Sequence, residues 1–139
     1  MPTSRKALDT LIQPTVVIWS GRKRLPDALV ERVESCRPHP HFFDRSTPLG
    51  FGRTADYDYW CYEVSAKSAS STRSLSSIAK WARTNRSLVG AAGQSGCRLA
   101  AYLNVYAYSQ QSPYLLPLKA ELLESIRSCG LELRIRWHC

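Results

Sequence analysis

Apolar positions recur along the chain in two rhythms, and the changes between them mark out its elements. "PTVVIWS" (Pro14 to Ser20) is a compact β-rich run that reads as a buried strand opening at its proline. "GRKRLPDALVERVESC" then changes to helical spacing. Pro26 suits a first helical turn, and Leu25, Leu29, Val30 and Val33 fall on one face. Pro38 bounds that helix, because the residue before a proline avoids helical backbone angles. "RPHPHFFDRSTPLGFGRTAD" is broken by prolines and glycines and reads as a long ordered loop with a short strand around His41 to Phe43.

"YDYWCYEVS" is dense in aromatic residues and reads as a strand. After the polar stretch "AKSASSTRS", Ser74 is placed as the cap of a helix carrying Leu75, Ile78, Ala79 and Ala82, with Trp81 on its flank. "NRSLVGAAGQSG" reads as a second short helix fraying at its glycines, and "CRLAAYLNVYAYS" is the longest alternating run. In "SPYLLPLKAELLESIRSCG" a helix starts near Pro117, with Leu118, Leu122, Leu123 and Ile126 on one side and Gly130 at a left-handed cap. The closing strand, Leu131 to His138, follows at once.

The expectation is a single α+β domain over residues 14–139, preceded by a flexible arm over residues 1–13. Its order is β-α-β-α-β-α-β, a mainly four-stranded sheet with about three helices packed on one face. The closing strand–helix–strand unit suggests a parallel crossover.

Alternation assigns faces within the last two strands. Leu99, Ala101, Leu103, Val105 and Ala107 point to the core, as do Leu131, Leu133, Ile135, Trp137 and Cys139. Ala100, Tyr102, Asn104, Tyr106 and Tyr108 point outward, with Glu132, Arg134, Arg136 and His138 on the neighbouring strand. The candidate binding residues are therefore Tyr102, Tyr106, Tyr108, Arg134 and Arg136. Tyrosines and arginines on an open sheet can stack on and pair with single-stranded nucleic acid, or can simply stabilise a solvated or partner-covered face.

Composition narrows the classes. The chain has 139 residues, long enough to bury roughly two thirds of its unfolded surface without disulfides or metal. Its net charge of +8 favours a polyanionic partner such as nucleic acid, although the basic residues are scattered. Five cysteines at wide spacings, with no Cys-x-x-Cys pair, form neither a disulfide framework nor a zinc motif. With no signal-peptide or membrane-spanning apolar run, the expectation is a cytoplasmic protein that does not engage a membrane.

Other constellations carry little chemistry. Cys36, His39 and His41 sit close in sequence but match no strong zinc spacing, so no metal is assigned. Asp56, Asp58 and Glu63 read as the solvent side of a strand, and "GRKR" (Gly21 to Arg24) as a basic turn lacking a phosphate loop's glycines. No nucleophile–base–acid set is complete, so the chain is read as a non-enzyme without a cofactor.

A strand followed by "LPDALVERV" (Leu25 to Val33), the Trp60 strand, a helix carrying Trp81, and the ending "LLESIRSCGLELRIRW" (Leu122 to Trp137) together resemble the bacterial family called domain of unknown function four-two-seven-nine. The resemblance covers about Thr15 to the end. The loop over residues 37–52 carries histidines, prolines and phenylalanines where that family has an arginine–tryptophan–basic–glycine stretch. It implies a small bacterial α+β protein and no chemistry. The leading functional expectation is a protein-binding or self-associating module, of which an immunity or toxin-neutralising role would be one form. Single-stranded nucleic-acid binding is the alternative.

Overall fold

The computed structural model describes residues 10–21, 24–44, 48–50, 53–54, 58–107 and 116–138. Among them lie strands β1 (Thr10–Trp19), β2 (His41–Phe43), β3 (Pro48–Gly50), β4 (Arg53–Thr54), β5 (Tyr59–Glu63), β6 (Arg98–Ala107) and β7 (Glu132–His138). The helices are α1 (Asp27–Ser35), α2 (Ser71–Thr84), α3 (Arg86–Gln94) and α4 (Ala120–Ser128). The main sheet runs β2-β5-β1-β6-β7; β3 and β4 form a separate two-stranded ribbon. Every pairing in the main sheet is antiparallel except β6 with β7, so the sheet is mixed.

This corrects the expected four strands and three helices. The fifth strand is the three-residue β2, which pairs with β5 although prolines flank its sequence neighbourhood. The fourth helix is α3. Gly90 and Gly93 do not break it, because burial of Leu88, Val89 and Ala92 outweighs the lower helix propensity of the two glycines.

The first strand begins at Thr10, four residues before the proline that its sequence makes look like a start. Residues 10–13 are therefore strand rather than part of the expected flexible arm, whose residues 1–9 lie outside the described residues. Pro14 sits inside a central strand, where a missing N–H would ordinarily break a ladder. Its place is tolerated because the β5 side of the ladder ends there. The pairs run from Trp19↔Tyr59 to Thr15↔Glu63, and the Pro14 carbonyl then accepts the Val64 N–H at 3.2 Å. The chain loops out and returns at Ser68, which exchanges both backbone hydrogen bonds with Ile12. The Gln13 amide spans the gap by donating to the Ser65 carbonyl at 2.6 Å.

All four helices contribute to one core against one sheet face. Ile12, Val16, Ile18, Trp60, Tyr62, Ala101, Leu103 and Val105 from the sheet meet Leu29 and Val33 of α1 and Leu75, Ile78 and Ala82 of α2. Val89 of α3 and Ile126 of α4 complete it. Helix α2 starts before the expected Ser74. Ser70 is the cap, its hydroxyl accepting the Arg73 N–H at 3.1 Å, and Ser74 is buried within the helix. Trp81 is not on the flank but in the core, its ring 4.9 Å from that of Tyr62.

Helices α3 and α4 end alike. Cys97 N–H donates to the Ala92 carbonyl and Gly96 N–H to that of Gly93. Likewise Leu131 N–H donates to Ile126 and Gly130 N–H to Arg127. Both are Schellman closures with a glycine in the left-handed region, at φ 84° for Gly96 and 91° for Gly130. Buried Leu131 lies where the hydrophobic contact of that motif is made with Ile126, which fixes the angle at which β7 enters the sheet.

Candidate interaction surface: the open face and the β7 edge

The pairing register places the residues of the helix-free face in rows across the sheet. One row reads Phe43, Tyr59, Trp19, Arg98. The next reads His41, Cys61, Val17, Ala100, Glu132, and a third Glu63, Thr15, Tyr102, Arg134. Gln13, Asn104 and Arg136 form the fourth, and Leu11, Tyr106 and His138 the fifth. The expected neighbours are therefore real neighbours: Tyr102 faces Arg134, and Arg136 and His138 follow beside Asn104 and Tyr106. Tyr108 lies outside the described residues.

These side chains already engage one another. Arg136 places its guanidinium 4.4 Å over the Tyr102 ring, and Trp19 meets the same ring edge-on at 6.1 Å. Tyr102 is only 6% exposed and forms a second small cluster with Val17 and Ala100, flanked by Trp19, Tyr59 and Cys61. Asn104 is buried too, its amide donating to the Gln13 carbonyl and the Thr15 hydroxyl, each at 3.0 Å. Tyr106 is half-buried, stacked on His138 at 4.6 Å with the Lys67 ammonium 4.5 Å from its ring centre. Arg134 donates to Glu132 at 3.1 Å, and that carboxylate raises the guanidinium pKa further above its ordinary value. At the far side Phe43 stacks on Tyr59 at 4.6 Å. His41 and Glu63, both exposed, approach to 4.0 Å.

The helix-side face of β7 differs from its expected burial. Leu131 is buried and Leu133 half-buried, but Ile135 is 37% and Trp137 51% exposed. Lengths explain the difference. Helix α4 has nine residues, about 13 Å of helix, whereas the seven residues of β7 span about 23 Å. Because α4 feeds directly into the start of β7 through Gly130, it covers only the first half of that strand. The sequence starts this helix near Pro117, but it begins at Ala120 after Lys119, about a turn shorter than expected; alternation alone reports which face a residue is on, not whether anything lies over it.

β7 is also an outer strand of the sheet among the described residues. The other, β2, has three residues against seven. Beside β7 and α4 lies an open groove of about 470 Å³, lined mainly by Leu123, Ile126, Leu131 and Leu133, with Arg127 and Glu132 at its rim.

The remaining constellations have structural employment. His39 Nδ1 lies 3.2 Å from the Glu34 carbonyl and its Nε2 meets the Arg37 guanidinium, so both ring nitrogens are engaged. The Cys36 thiol lies 3.4 Å from the Arg32 carbonyl at the end of α1. These residues close a helix terminus, and no cluster of three metal-ligating side chains occurs among the described residues. Burial pushes the Cys36, Cys61 and Cys97 thiols up, away from the thiolate a nucleophile needs. Asp56, Arg22 and Lys23 lie outside the described residues. No helix among those residues is long and apolar enough to cross a membrane.

Comparison with protein-family models, curated proteins and solved structures finds no match.

Proposed function

We propose that this chain is a non-enzymatic protein-binding module whose binding element is the outer strand β7. One observation carries the reading: a seven-residue edge strand presents Ile135 and Trp137 to solvent on the same face whose first residue, Leu133, lines an apolar groove. Unpaired strand edges template the addition of another strand, and folded proteins ordinarily blunt them with charged side chains, proline or a short length. β7 is long and proline-free, and its charges, Glu132, Arg134 and Arg136, all lie on the open face, so its helix-side face is unguarded. An immunity-like role and the four-two-seven-nine resemblance are compatible with this reading and supply none of its support.

Single-stranded nucleic acid on Tyr102, Tyr106, Arg134 and Arg136 is the second reading, favoured by the net charge of +8 and by half-buried Tyr106. It ranks lower because a base stacking on Tyr102 would have to displace Arg136 from a ring already buried.

The test is selection from an unbiased library of displayed peptides, counter-selected on Ile135→Lys/Trp137→Lys. The expected result is enriched peptides that bind the parent protein at least ten-fold more tightly than this variant. Enrichment indifferent to the two substitutions contradicts the proposal. So does tight, steeply salt-dependent RNA binding abolished by alanine at Tyr102, Tyr106, Arg134 and Arg136, which would install the second reading.

A further inference from the structure

We infer that the partner of β7 is an extended segment alternating apolar with acidic residues, which adds to the sheet along this edge. The inference rests on the reading of β7 as the binding element and supplies the chemistry of its occupant. Alternation within β7 divides its surroundings in two. On the helix side an added strand meets Ile135, Trp137 and the groove lined by Leu123, Ile126 and Leu133. On the other side it meets Arg134, Arg136 and His138. A segment in register must therefore be apolar at one parity and polar at the other.

Charge decides the polar parity. Glu132 is the one acidic residue of β7, and Arg134 already holds it at 3.1 Å. Arg136 lies on an aromatic ring rather than against a carboxylate, and Arg127 adds a cation at the groove rim. Acidic side chains opposite Arg136 and Arg134 complete these charges, whereas basic ones oppose them directly.

A second copy of this chain is the poorer occupant by charge, since β7 offers two arginines against one glutamate. Antiparallel self-pairing centred on Ile135 sets Arg134 against Arg136 twice; pairing centred on Arg134 sets that residue against itself and brings Glu132, already held by Arg134, opposite Arg136. Shifting by one residue puts the arginines on the apolar side. Each copy would also bring a net charge of +8.

Labelled nine-residue peptides test this by fluorescence anisotropy. One alternates glutamate with valine, a second replaces each glutamate by lysine, and a third scrambles the first. They are titrated against the full chain, against Arg134→Glu/Arg136→Glu, and against Ile135→Lys/Trp137→Lys, each first checked for folding by circular dichroism. Trp137→Ser serves where the double lysine variant does not fold. The expected result is at least ten-fold tighter binding of the glutamate–valine peptide than of either control. The charge-reversed variant should prefer the lysine peptide, and the lysine or serine variant should bind none of them. If glutamate and lysine peptides bind equally and both need Ile135 and Trp137, the acidic partner is overturned while the edge reading stands. If the scrambled peptide binds as well, the attraction is diffuse charge and strand addition is overturned. If no peptide binds, or binding ignores Ile135 and Trp137, both fall.

Discussion

The Tyr62 hydroxyl donates to the Val33 carbonyl, one of the last four carbonyls of α1, which the helix itself cannot satisfy. A strand side chain thereby closes a helix end inside the core. Removing the hydroxyl leaves that carbonyl without this donor, a cost of about 1–2 kcal/mol. Tyr62→Phe should thus lower the urea midpoint at unchanged slope; an unchanged midpoint would show the bond to be energetically idle. Burial raises the Tyr62 pKa strongly, with Cys36 and Glu34 adding to it. A phenol raised in the folded state adds stability that is complete below its unfolded pKa, about 10, and lost as pH rises beyond it. The parent protein should therefore lose stability above that pH more steeply than the phenylalanine variant. At this scale the sequence is informative about type and silent about partner. An aromatic strand position at 62 is legible, but its contact with residue 33 depends on how α1 crosses β5.

At the scale of elements, alternation and helical spacing locate most strands and helices because those patterns record one buried face. Alternation assigns the faces of β6 and β7 to the correct sides, and Gly130 stands where the left-handed cap is needed. The failures have particular causes. Pro14 imitates a strand start, and only the loop from Val64 to Ser68 makes it acceptable within β1. β2 is legible as a short strand around His41 to Phe43, but its pairing with β5 is not, because strand pairing is long-range. The serine-rich stretch before α2 offers several equivalent caps, of which Ser70 is the one used. Two glycines with different jobs give a test. Gly90 lies exposed in the interior of α3 with nothing near its absent side chain, so Gly90→Ala should stabilise by about 0.5–1 kcal/mol. Gly130 lies at φ 91°, so Gly130→Ala should cost about 1–2 kcal/mol even though the added carbon would meet Val89 at an ordinary 3.4 Å. Thermal melts of both variants check the pair; shifts of the same sign would contradict the assigned roles.

For the whole molecule, what matters is which strand lies at the edge. Strand order is a long-range property, and nothing local says that β1 is central or that β7 is outermost. The candidate face was legible as a set, since Tyr102, Tyr106, Arg134 and Arg136 do lie together. Its state was not: register brings Arg136 onto Tyr102, and burial follows from neighbours drawn from β1 and β5. The exposed Ile135 and Trp137 invert the expected core placement because a helix of about 13 Å cannot cover a strand of about 23 Å. The β7 edge becomes the conspicuous surface, and its arginines give it a preference for acidic partners.

The most direct measurement is backbone amide mapping by NMR of the full chain titrated with the glutamate–valine peptide. Shifts concentrated at Leu133 to His138 and along α4, with slowed amide exchange on β7, are the predicted result. Shifts spread over the basic surface, or centred on β2 or on the Tyr102 and Tyr106 face without β7, would contradict the central claim.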